Sequence, residues 1–247
     1  LSPAIVAALP ERLPLYRALG LRSMALGSEA VVDLDRFVRH TINKYEIRRY
    51  ERRFGDGTHG FAWLQPPDPV GLVDELAEVS EAWLTIPGRR ERDFALGAFE
   101  RTSGAATPVC TLRGPDGRLL AFLSAFSCGR AGTAAVDLMR RRADAPGGAM
   151  DYLLRRTLLA ARDAGLRHVS LGIAPLKGVG AAESSRLERA LGLLSQRANW
   201  YFSFRGLGRF KDKFQPSWHP RYLVCRSGMI ARSRALLALV VAMHGSD

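Results

Sequence analysis

The chain has 247 residues, 47% hydrophobic and 24% charged, a usage that excludes a disordered chain and suffices for a core without disulfide or metal staples. Its 36 Lys+Arg against 24 Asp+Glu leave a formal charge of +12, and all but four of the cations are arginines. A balance of this size suits a polyanionic partner, either nucleic acid or an anionic membrane, or else marks an arginine-rich proteome with a basic surface.

Taken in chain order, Leu21–Leu26 and Ala30–Leu34 read as short strands, Phe37–Phe54 as a basic helix, and Gly60–Gln65 as a strand closed by Pro66-Pro67. Residues 1–67 are too few for a self-sufficient domain and are expected to complete a first, truncated fold; residues 68–247 form the expected second domain. Asp68 as N-cap and Pro69 at the first helical position predict a helix to about Leu84. Phe94–Phe99 reads as a short helical stretch. Pro108–Leu112 and Leu119–Phe126 flank Gly114-Pro115-Asp116-Gly117, a hairpin signal, and Ala134–Met139 makes a third strand. The Pro146-Gly147-Gly148 loop leads into the periodic segment Met150–Ala164, which Gly165 stops, and Arg167–Ile173 follows as a buried strand. This is one crossover unit with ligand room expected at its helix N-terminus. Glu183–Leu194 and the segment from Met229 read as helices, Ala198–Phe204 as a strand, Arg205–Phe214 as a basic turn-helix and Arg221–Arg226 as a strand. Together these elements predict an α+β fold with a mixed sheet.

Chemistry-bearing residues are sparse. Cys110, Cys128 and Cys225 are scattered and favour a reducing compartment. The five histidines lack metal-ligand spacing and no Gly-x-Ser-x-Gly elbow occurs, so neither a metal site nor a serine triad is expected. No apolar run reaches 18 residues. The start at Leu1, without a basic-then-apolar leader, reads as a piece of a longer protein. Lys177-Gly178-Val179-Gly180 lacks phosphate-loop spacing and reads as a loop capping the next helix. At the end of the third strand, period-two alternation puts Asp137 and Met139 on one face and Leu138 and Arg140 on the other. If the strand splays, Asp137 and Arg140 hold an ammonium and an anion; otherwise they form a structural ion pair. In Gly206–Phe214, helical spacing groups Phe210 with Phe214 and turns Arg209, Lys211 and Lys213 outward, as a phosphate-binding row for RNA or a lipid headgroup or as a solvated basic face.

Ser80-Glu81-Ala82-Trp83-Leu84, Phe94–Phe99, Asp137-Leu138-Met139-Arg140, Gly148–Leu153, Leu171–Leu176, Phe204–Phe214 and Pro216-Ser217-Trp218 leading to Arg221-Tyr222-Leu223 stand in one order over about 200 residues. In this the chain resembles the cytosolic domain of the aminoacyl-phosphatidylglycerol synthases, the multiple peptide resistance factor family of lysyl- and alanyltransferases. The resemblance implies tandem GNAT (acetyltransferase-like) folds with mixed, mostly antiparallel sheets, behind an N-terminal membrane domain at the cytoplasmic face of a bacterial inner membrane. It implies transfer of an aminoacyl group from aminoacyl-tRNA to phosphatidylglycerol without a cofactor, and with it resistance to cationic antimicrobial peptides. By residue match, Asp137, Arg140, Glu188, Arg209 and Lys211 are the expected catalytic residues, with Met139, Lys213, Arg155 and Arg156 beside them as substrate-binding residues. Asp137 and Glu188 are expected to take the ammonium or the general-base role, and Arg140, Arg209 and Lys211 the phosphates or the oxyanion. Gly208 stands where the family commonly has a basic residue. Two alternatives stay open: a GNAT-like aminoacyltransferase with another acceptor (a peptidoglycan precursor or another lipid), and a non-catalytic basic module that docks on RNA or membrane.

Overall fold

Hydrophobic periodicity and glycine punctuation divide the chain into strands and helices whose order is seen in a computed structural model describing residues 4–67, 69–87, 99, 107–127, 132–175, 177–178 and 199–226. The strands among them are β1 (Ile5–Ala8), β2 (Leu21–Asp33), β3 (Gly60–Leu64), β4 (Val109–Arg113), β5 (Leu119–Ser127), β6 (Thr133–Arg141), β7 (His168–Pro175) and β8 (Ser217–Arg226). Besides short turns such as Leu34–Arg36, the helices among them are α1 (Leu13–Ala18), α2 (Tyr45–Phe54), α3 (Leu72–Leu84), α4 (Ala149–Asp163) and α5 (Asn199–Asp212). The fold is α+β; β1–β8, β2–β8, β3–β4, β4–β5 and β5–β6 pair antiparallel and β6–β7 pair parallel.

Two compact units share the chain. The first takes Leu1–Val31, Gly172–Asp212 and Pro216–Asp247; the second takes Val32–Leu171 and Lys213–Gln215. These junctions differ from the boundary expected after Pro67. The reason is the long ladder between β2 and β8, with Leu21 opposite Arg226 and Val31 opposite Ser217, which draws the start of the chain into one sheet with its far end. In the first unit the strand order is β1-β8-β2-β7. A register shift between Ala25 and Gly27 lets β2 run unbroken through what the sequence divides into two strands.

In the second unit the order is β7-β6-β5-β4-β3. Gly117 adopts φ +77° in the β4–β5 turn, as the Asp-Gly signal requires. α4 carries the crossover between β6 and β7, begins after Gly148 at φ +92° and is closed by Gly165 at φ +83°. Leu72, Leu76 and Val79 of α3 bury against Val109, Leu119, Phe122 and Leu138. This helix starts at Leu72 after left-handed Gly71, not at Pro69; Pro69 instead accepts a turn hydrogen bond from the Leu72 N–H at 3.1 Å, and Asp68 lies outside the described residues.

Phe37–Phe54 is not one helix. A π-helical turn at Phe37–Thr41 ends before extended Lys44, from which α2 starts afresh. Phe37 and Thr41 bury toward Phe214 (ring centroids 6.3 Å apart) and Gln215 (3.0 Å), whereas α2 buries Ile47, Tyr50 and Phe54, and one straight helix does not present both stripes. α5 likewise runs helically through Asn199–Phe204, where strand propensity of the aromatic run predicts β structure; context overrides that propensity. The expected helices at 183–194 and from Met229, and all of 94–99 except Phe99, lie outside the described residues.

Candidate active site

The first unit gathers its chemistry where α5 ends against the bend in β7. Lys211 is 1% exposed, and its Nζ donates to the carbonyl oxygens of Gly172 (3.1 Å) and Ile173 (3.0 Å). Gly172 has φ +78°, a conformation suited to glycine. Burial disfavours the ammonium form and pulls Lys211 down to about 7, against an opposing pull from the Glu29 carboxylate, which is itself paired with Arg221. The outward row of cations expected from helical spacing is thus broken at Lys211. Arg209 stays exposed, because two residues along a helix turn about 200° around its axis.

Next to Lys211, Asp212 accepts from Lys177 Nζ through both carboxylate oxygens at 2.7 Å and from Trp218 Nε1 at 3.0 Å, while Lys177 lies 4.0 Å over the Trp218 ring. The Ser28 hydroxyl donates to the Lys177 carbonyl at 2.9 Å. This cluster pins the last turn of α5 to the ends of β7 and β8, and thereby fixes where Lys211 sits. The sequence carries no spacing signal for it.

In the second unit β6 keeps strict alternation to Arg141, so Asp137 and Met139 are half-buried on one face while Leu138 and Arg140 are buried on the other. Arg140, 3% exposed, lies flat over the Trp83 ring at 3.8 Å, on the side that α3 covers. The splay that would bring Asp137 and Arg140 to one point is absent. Arg155 pairs with Glu51, and Arg156 donates to the Tyr152 hydroxyl at 3.1 Å and lies 5.2 Å from the Phe61 ring. Lys213, expected to face outward, pairs with Asp151 at 2.5 Å. The room expected at the α4 N-terminus is filled: a Cβ on Gly148 would run into the Tyr50 ring. Glu188 lies outside the described residues.

A family model described as phosphatidylglycerol lysyltransferase, C-terminal, matches residues 1–225. The chain is 34% identical over 217 residues to the phosphatidylglycerol lysyltransferase of Bacillus subtilis, covering 87% of this chain and 25% of that protein. The solved structure of L-PGS from Bacillus licheniformis superposes with a TM-score of 0.79 at 30% identity, over 97% of this chain and 71% of that one. The C-terminal (DUF2156) domain of an Agrobacterium fabrum protein gives 0.76 at 33% identity, over 96% and 70%. The chain belongs to the family of phosphatidylglycerol lysyltransferase C-terminal domains. It spans about a quarter of the length of the curated relatives it matches. No helix among the described residues is long and apolar enough to cross a membrane.

Proposed function

We propose that the chain is the transfer domain of a phosphatidylglycerol lysyltransferase, moving a lysyl group from aminoacyl-tRNA to a glycerol hydroxyl of the lipid. The observation that carries this reading is the family match over residues 1–225. The basic helix α2 supports a polyanionic donor: Lys44, Arg48, Arg49, Arg52 and Arg53 are all exposed, while Ile47, Tyr50 and Phe54 supply the buried stripe. The protein then acts at a membrane, lowers its negative charge and confers resistance to cationic antimicrobial peptides.

An aminoacyl ester is already activated, so the protein has to orient it, move one proton and stabilise the tetrahedral oxyanion. Of Asp137 and Glu188, one is assigned the proton of the glycerol hydroxyl as that oxygen attacks the ester carbonyl and the other the aminoacyl ammonium, and exposed Arg209 is assigned a phosphate. The intermediate collapses by breaking the bond to the ribose oxygen, which takes that proton. Lys211, buried with its Nζ on the Gly172 and Ile173 carbonyls, is assigned a positioning role where α5 meets β7. Arg140, buried against Trp83, is assigned a positioning role at the end of β6 rather than contact with substrate.

The experiment is transfer of radiolabelled lysine or alanine from a panel of charged tRNAs to phosphatidylglycerol vesicles, followed by lipid extraction and chromatography. Lysine is expected in the lipid fraction, with Asp137→Ala and Lys211→Ala each reducing turnover at least about a hundredfold in folded protein. Near wild-type rates in both variants overturn the residue roles. Transfer of no amino acid from any tRNA overturns the function.

A further inference from the structure

The burial of β6 alternates without a break, whereas its pairing with β5 is interrupted. Leu123 lies opposite Met139, and Ala125 lies opposite Val136. Between those two pairs β5 has one residue, Ser124, and β6 has two, Asp137 and Leu138. This is a β-bulge, and the extra residue disrupts the ladder at that point. A side chain takes up the Leu138 N–H there: it donates to the Ser124 hydroxyl oxygen at 3.1 Å. Ser124 is 6% exposed and Leu138 7%, so the bond lies in the interior, where a backbone N–H left without an acceptor is costly.

The bond reaches Asp137 through the chain. The Leu138 N–H and the Asp137 carbonyl belong to one planar peptide unit. An acceptor that fixes the N–H therefore fixes that plane, and with it the direction in which the Asp137 side chain leaves the backbone. Leu138 is also held at its other end, since its side chain sits in the core with Leu76, Val79 and Phe122. Across β6, the ladder with β7 pairs Thr133, Ala134 and Ala135 with His168, Val169 and Ser170, and among the described residues it ends two residues short of Asp137. At Asp137 the backbone is thus placed from the β5 side. Bulges recur beside active sites because they re-aim one side chain while the sheet stays paired.

We propose that Ser124 is a positioning residue of the transfer reaction: its hydroxyl, by accepting the Leu138 N–H, sets the bulge that aims the Asp137 carboxylate at the substrates. The proposal rests on the reading that Asp137 takes the hydroxyl proton or the aminoacyl ammonium, and adds the group that holds it in place. Ser124→Ala is expected to lower turnover at saturating tRNA and lipid at least about tenfold, with the KM for charged tRNA within about twofold of wild type, because a misplaced reacting group costs rate more than binding. Ser124→Thr keeps the hydroxyl and is expected to stay within about threefold of wild-type turnover. In the Asp137→Ala background, Ser124→Ala is expected to cost nothing further, since two residues that act through one group are not additive. In hydrogen exchange, Ser124→Ala is expected to strip protection from the Leu138 amide while Thr133–Ala135 keep theirs. Wild-type turnover in folded Ser124→Ala overturns the proposal. A full further loss in the Asp137→Ala background also overturns it, because that marks a general loss of stability. The same holds for a Ser124→Thr variant as slow as Ser124→Ala with its Leu138 amide still protected. Should Ser124→Ala fail to fold, Ser124→Cys, a weaker acceptor of similar size, carries the same comparison. A wild-type chain that transfers nothing from any tRNA removes the functional reading and this proposal together, whereas wild-type transfer that Ser124→Ala leaves unchanged removes the proposal alone.

Discussion

The burial of Lys211 makes the stability of the fold depend on pH. Its ordinary value is 10.5 and burial lowers it to about 7 in the folded protein. Between these values the unfolded chain holds a proton that the folded chain does not, so unfolding takes up a proton and stability rises with pH from about 7 toward 10. Below pH 7 both states are protonated and the whole burial cost is present, on the order of 5 kcal/mol at most. Lys211→Met is expected to remove this upward slope, read from denaturant midpoints at pH 6, 8 and 9.5; an unchanged slope in the variant would contradict the assignment of the shift to this side chain.

At the scale of elements, α2 presents its cations in successive turns, Arg48 and Arg49 followed by Arg52 and Arg53. Arg48→Glu/Arg52→Glu is expected to raise the KM for charged tRNA at least about tenfold, leave turnover at saturating tRNA close to wild type, and flatten the dependence of KM on salt, because phosphate contacts release counterions. Some elements were legible in the residues alone, for stated reasons. Asp116-Gly117 can only turn one way between two apolar runs, and Gly148 and Gly165 bracket the periodic leucines of α4, so hairpin and crossover were readable. The alternation of Asp137 and Arg140 was also readable, and β6 keeps it. The burial of Lys211 was not readable, because it depends on two carbonyls exposed by the left-handed turn at Gly172, 39 residues away. Nor was the filling of the α4 N-terminus, where Tyr50 arrives from a helix about a hundred residues earlier. β1 and α1 gave no signal at all, since the apolar residues of Ile5–Ala8 and Leu13–Ala18 obey no core periodicity.

For the whole molecule, the two units depend on distant pieces of chain to different degrees. The second is built from Val32–Leu171 with only Lys213–Gln215 added from outside, whereas the first is completed by β8. Ending the chain after Gln215 is expected to lower hydrogen-exchange protection along Leu21–Val31 at the amides that face β8, while β4 and β5 keep theirs through mutual pairing. Equal loss in both regions would mean that they open as one cooperative body.

The ladder between β2 and β8 also sets an order of events during synthesis. Glu29 meets Arg221 across 192 residues, and at ordinary elongation rates of about 5–20 residues per second the ribosome needs on the order of 10–40 seconds to deliver the partner. Throughout that interval β2 waits with an open edge, a template for pairing with the wrong strand. The side of β2 that faces β8 therefore stays unpaired until Ser217–Arg226 has been made.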